Sequence, residues 1–225
     1  MVSFNIESKK VNIFNEKLKF KNSPIVIHNS FEDDGTDLIN EYYNVNCNDF
    51  ILVNISNIKW NDEMTPWGCP PLFKGDSGCN GKADEYIDLL TNKITPKLEQ
   101  KLDYKPLYYA IAGYSLGGLF ALYSVYKTDI FKRVMTGSGS FWYPEFIEFA
   151  KSNEIKSNVD KIYFYLGDTE KQTKNKLMSE VENNTKELVN YYKSLNINTI
   201  FELNKGNHFK KVNKRIAKGI KNIIA

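Results

Sequence analysis

The sequence predicts a single α/β domain over residues 1–225, with a mainly parallel central sheet, helices on both faces and an antiparallel hairpin at its N-terminal edge. Three observations predict it. Short, almost continuously apolar runs alternate with longer amphipathic segments, the pattern of strands buried on both faces and the helices that cover them. The first two runs instead flank a polar turn with no room for a helix, as a hairpin does. Finally, 225 residues with 42% hydrophobic and 25% charged side chains can bury one substantial core, and no repeat or low-complexity linker divides them.

Val2 to Ile6 and Val11 to Phe14 read as the hairpin strands. Pro24 to Ile27 reads as a short buried strand followed by a loop, His28 to Asp37, and Phe50 to Ile55 as a strand covered on both faces. Asn57 to Lys82, with Trp60, Trp67, Pro66, Pro70 and Pro71, is too long for a simple connector and reads as a functional loop. Ala83, Tyr86, Ile87, Leu90, Ile94 and Leu98 mark a helix in which Pro96 predicts a kink or an early end. There follow a strand at Leu107 to Ala112, a helix at Leu116 to Tyr126, and strands at Lys132 to Thr136 and Lys161 to Leu166. A helix through Leu177, Val181, Leu188, Val189, Tyr192 and Leu195 leads to a strand at Thr199 to Leu203. A closing helix then carries Phe209, Val212, Ile216, Ala217 and Ile220 on one face.

Composition narrows the function. Thirty Lys+Arg against 27 Asp+Glu are scattered along the chain, without the concentrated basic patch of a nucleic-acid binder. The first ten residues lack a signal-peptide pattern and no apolar run reaches spanning length, which predicts a cytoplasmic protein without a membrane span. The odd number of cysteines (Cys47, Cys69, Cys79) implies no disulfide framework, and two histidines are too few for a His-rich metal site; neither metal nor cofactor is expected.

The chemistry centres on Gly113-Tyr114-Ser115-Leu116-Gly117, a G-x-S-x-G motif lying between an apolar strand and an amphipathic helix. A serine on so sharp a turn needs glycine on either side, because strand and helix pass too closely for larger side chains. The turn also sets the serine over a helix N-terminus, where the Leu116 amide is placed to donate to an oxyanion. A serine hydroxyl needs a base, and of His28 and His208 only His208 lies downstream, as the order serine, acid, histidine requires. The acid falls in Gly167-Asp168-Thr169-Glu170, where Asp168 and Glu170 both qualify. A second oxyanion donor is expected from the amide of Asn29, Ser30 or Phe31. Gly137-Ser138-Gly139-Ser140 lacks the elbow's glycine spacing and reads as a pocket loop, and Trp60, Trp67, Trp142, Tyr143 and the loop Cys69 to Cys79 read as pocket walls.

Four segments carry a resemblance: Gly113 to Gly118, Ser138 to Tyr143, Leu166 to Glu170, and Gly206-Asn207-His208-Phe209. From about Pro24 onward the chain resembles the putative esterase family of α/β-hydrolases, which includes esterase D, enterochelin esterase-like proteins, feruloyl esterases and the antigen 85 mycolyltransferases. The resemblance implies the α/β-hydrolase fold and a small-molecule ester substrate cleaved through an acyl-enzyme. It also implies Glu170 as the acid in preference to Asp168, and the Ser30 amide, after His28-Asn29, as the second oxyanion donor. An acyltransferase of the same fold, or a hydrolase-fold binding protein without turnover, is the alternative reading. The acyl and alcohol groups and the oligomeric state are not legible.

Overall fold

In the computed structural model, which describes residues 1–15, 17–18, 22–45, 49–71, 75 and 77–225, β1 (Val2–Ile6) and β2 (Lys9–Phe14) form the expected antiparallel hairpin. β1 alternates half-buried and exposed positions, as an edge strand with one covered face must. β3 (Ile25–Asn29) is buried throughout. The following segment is not all loop: Gly35, at φ 92°, opens α1 (Thr36–Asn44). Only Leu38, Ile39 and Tyr42 of this nine-residue helix are buried, too short an apolar pattern to stand out in sequence. β4 (Ile51–Ser56) is again wholly buried.

The long segment after β4 is structured too. It holds α2 (Trp60–Glu63) and a two-stranded ribbon of β5 (Gly68–Cys69) and β6 (Cys79–Asn80), while Cys47 and residues 72–74 and 76 lie outside the described residues. α2 is tied down by Lys9, a buried lysine whose Nζ meets Glu63 Oε1 at 2.8 Å and Oε2 at 2.7 Å. Burying that cation is tolerable only because the carboxylate accompanies it.

α3 (Ala83–Leu89) runs through a π-helical turn (Leu90–Ile94) into α4 (Thr95–Leu102). The helix therefore passes Pro96 instead of stopping there. Pro96 stands in the first turn of α4, where a missing N–H costs least, and the widened turn before it accommodates the ring. β7 (Tyr109–Tyr114) leads into α5 (Leu116–Ser124), every residue of which is buried. Each large apolar side chain so placed contributes about 1.5–3 kcal/mol relative to exposure. β8 (Phe131–Gly137), α6 (Phe146–Ser152), β9 (Lys161–Gly167), α7 (Lys176–Ser179), α8 (Val181–Ser194), β10 (Asn198–Asn204) and α9 (Val212–Ile224) complete the chain. Phe209 lies in the turn before α9, 82% exposed, and not on the helix face expected of it.

The strand order is β1-β2-β4-β3-β7-β8-β9-β10, parallel from β4 to β10. α1 and α9 cover one face, and α3, α4, α5 and α8 the other. Because β4 lies on one side of β3 and β7 on the other, the winding reverses between β3 and β7, where open α/β sheets form a crevice at the strand C-termini. Asn29 and Tyr114 end those two strands.

Candidate active site

Ser115 stands at the β7–α5 turn with φ 58° and ψ −123°, a strained conformation for a residue with a side chain. Backbone bonds hold it there: its N–H donates to the Gly137 carbonyl (2.9 Å), and its own carbonyl accepts from the Ser140 N–H (3.1 Å). Gly113 and Gly117 fit as the motif demands, and Gly117 has a further role. A Cβ there would lie 2.9 Å from Cη2 of Trp60, so its absence lets the indole rest against the turn.

His208 Nε2 lies 3.2 Å from Ser115 Oγ, and His208 Nδ1 2.8 Å from Glu170 Oε2. Only 4% of the Glu170 side chain is exposed, against 29% of His208. Asp168, the other candidate acid, holds the loop that carries the histidine: its Oδ1 accepts from the Gly206 N–H (2.8 Å). Arg215 on α9 clamps the same loop, donating to the carbonyls of Lys205 (2.8 Å) and Asn207 (3.1 Å).

Two neighbours escaped the sequence reading. Ser138, with φ 44°, donates its hydroxyl to Glu170 Oε1 (2.6 Å), which also accepts from the Gly167 N–H (2.6 Å). It lies in the loop read only as a pocket wall. The Tyr114 ring lies 4.9 Å from the His208 ring, and burial holds its phenol well above the usual tyrosine range, so it stays protonated. Nothing in a G-x-S-x-G pattern marks its second residue for that contact.

The Leu116 N–H, at the start of α5, donates to no acceptor among the described residues. Ser30 requires a correction. Its N–H donates to the Ile55 carbonyl (2.9 Å), extending the β3–β4 ladder by one rung, and is therefore spent within the sheet. The next amide, that of Phe31, has no acceptor among the described residues, and Phe31 borders the same cavity as Ser115 and Leu116.

Two cavities meet at Ser115. One, about 490 Å³, reaches Thr173 and Val181; the other, about 440 Å³, reaches Phe31, Trp60, Asn61 and Cys79; Trp142, Met178, His208 and Phe209 border both. Trp60 and Trp142 line these cavities, whereas Trp67 and Tyr143 line neither. The Trp67 indole N–H donates to the Pro144 carbonyl (3.1 Å) and the buried Tyr143 hydroxyl to the Trp67 carbonyl (2.5 Å). With their polar ends satisfied, the two rings pack as a cover with Phe149.

His28 is structural. Asn54 donates its amide to Ser30 Oγ (3.1 Å) and the Asp33 carbonyl (2.9 Å), so Asn54 Oδ1 accepts from His28 Nδ1 (2.8 Å). Burial lowers the ring's pKa below the ordinary 6.5, against smaller upward pulls from Asn54 and Asp33. On acidification the unfolded chain therefore takes up this proton first, and stability falls with pH once pH drops below the unfolded value. Between pH 7 and 5 His28 contributes a slope of up to about 1.4 kcal/mol per pH unit. Urea unfolding of His28→Gln, whose amide can still donate to Asn54, should show a shallower decline; equal slopes would contradict this.

Among the described residues no cluster of three or more His, Cys, Asp or Glu could hold a metal ion, and no helix is long and apolar enough to cross a membrane. A family model described as "Putative esterase" matches residues 37–211. Uncharacterized protein YbbA of Bacillus subtilis (strain 168) is 24% identical over 143 residues, 62% of this chain and 57% of that protein, less than two thirds of its length. Among solved structures, the siderophore hydrolase EstA from Aspergillus nidulans superposes with a TM-score of 0.75 at 14% identity, covering 100% of this chain and 94% of that one. An IroE-like serine hydrolase from Shewanella oneidensis gives 0.77 at 14% identity, over 96% and 75%. At such identities the likeness is one of fold, the α/β-hydrolase fold.

Proposed function

Because the chain belongs to the putative esterase family, we propose that it is a serine carboxylic-ester hydrolase working through Ser115, His208 and Glu170. The observation that carries this reading is the unbroken line of hydrogen-bonding groups from Ser115 Oγ through His208 to the Glu170 carboxylate. In the reaction His208 Nε2 takes the Ser115 proton as Oγ attacks the ester carbonyl, and Glu170 holds the imidazole in the tautomer with hydrogen on Nδ1. The Leu116 and Phe31 amides donate to the oxyanion. When the tetrahedral intermediate collapses, the carbon–oxygen bond to the alcohol breaks and His208 returns the proton to the leaving oxygen. Water then repeats the cycle on the acyl-enzyme, releasing the acid and free Ser115.

The test is labelling of Ser115 by a fluorophosphonate together with hydrolysis of short p-nitrophenyl esters. Absence of both would overturn the reading. The bond from Ser138 to a buried carboxylate is of the charge-assisted kind, and its loss leaves Glu170 less firmly held. Ser138→Ala should lower kcat about tenfold with little change in KM. Steady-state kinetics of Ser138→Ala in a Glu170→Ala background check it, since the two losses should then not add.

A further inference from the structure

The two cavities at Ser115 carry information about the ester itself. An ester carbonyl has two substituents, its acyl chain and its alcohol, and a carbonyl carbon on Ser115 Oγ must send them in different directions. Each cavity has roughly three times the ~150 Å³ that accommodates a benzene molecule. Trp60, edge-on to Phe31 at 5.4 Å between ring centroids and seated against Gly117, shapes one; Trp142 borders both. No lysine or arginine is among the described residues lining either, and the acidic group in their walls, Glu170, already meets His208. An anion brought into either cavity would lose water and meet no lysine or arginine among the described lining residues. We infer, building on the ester-hydrolase reading, that the substrate is an uncharged ester with a group at least as bulky as a phenyl ring on each side of the scissile bond. The acyl group occupies one cavity and the alcohol the other.

The experiment compares kcat/KM for ethyl propanoate, ethyl 3-phenylpropanoate, benzyl propanoate, benzyl 3-phenylpropanoate and benzyl hydrogen succinate, all with unactivated alcohols. Each ring should raise kcat/KM at least about tenfold, independently of the other, because burying one removes on the order of 150 Å² or more from water. The succinate, whose acyl chain ends in a carboxylate, should fall at least about tenfold below benzyl propanoate. Trp60→Ala should abolish the gain from one ring and keep that from the other; Thr173→Trp, which fills the opposite cavity from an exposed position, should do the reverse. A gain from one side only, a faster succinate, or both variants erasing the same gain would overturn the inference. Similar kcat/KM for every ester would overturn it while leaving the esterase reading intact. No hydrolysis of any ester, with Ser115 unlabelled by fluorophosphonate, would instead defeat the esterase reading.

Discussion

Ser115→Ala is expected to lower kcat for ester hydrolysis by on the order of 10⁴- to 10⁶-fold while the protein stays folded. The loss is that large because His208 and Glu170 act only through the serine: without Oγ, the imidazole 3.2 Å away has no proton to accept and no acyl-enzyme forms. The activity left over comes from the oxyanion donors and substrate binding. The fold should survive, since alanine suffers no more than serine from the φ of 58°, and the bonds that hold the turn use backbone atoms. Rates on p-nitrophenyl esters, with the thermal unfolding midpoint alongside, check both halves. A variant retaining more than a tenth of wild-type activity would remove Ser115 from the mechanism.

Gly113→Ala should have the largest effect on stability. A Cβ at this position would stand 2.0 Å from the Gly117 carbonyl oxygen and 2.3 Å from its carbon. Both obstacles are backbone, so no rotamer relieves the clash, and β7 and α5 must part at the place where Ser115 is held. A cost of about 4 kcal/mol or more is expected, lowering the unfolding midpoint by about 10 °C or more. Gly68→Ala serves as the control, because a Cβ there meets only the Cys79 carbonyl, at an ordinary 3.6 Å. Calorimetric scans of the two variants compare them directly, and equal midpoints would contradict the packing argument.

The legible part of the site is the part set by local constraint. A serine in a strained turn needs Gly113 and Gly117 within two residues of it, so the elbow is written contiguously. His208 was legible by elimination, since only one histidine follows the serine. Trp60 and Trp67 lie in one loop with equal aromatic character, yet one borders the cavity and the other donates to Pro144, because a carbonyl distant in sequence captures its N–H. The amide of Ser30 was misassigned for a similar reason: whether a strand ends at Asn29 or donates once more depends on how far its neighbour β4 extends.

The sequence by itself determined the alternation of strands and helices, the edge hairpin and the glycine-flanked turn at Ser115. Each follows from short-range sterics or apolar periodicity, which a chain expresses locally. Only the tertiary structure decided that Glu170 meets His208 while Asp168 braces its loop, that Ser138 donates to Glu170, and that Phe31 and not Ser30 has an amide left to donate. Those outcomes depend on β7, β8, β9 and β10 lying side by side and on β3 pairing with β4. Hydrogen bonds between residues tens of positions apart acquire a direction only once the sheet has brought them together.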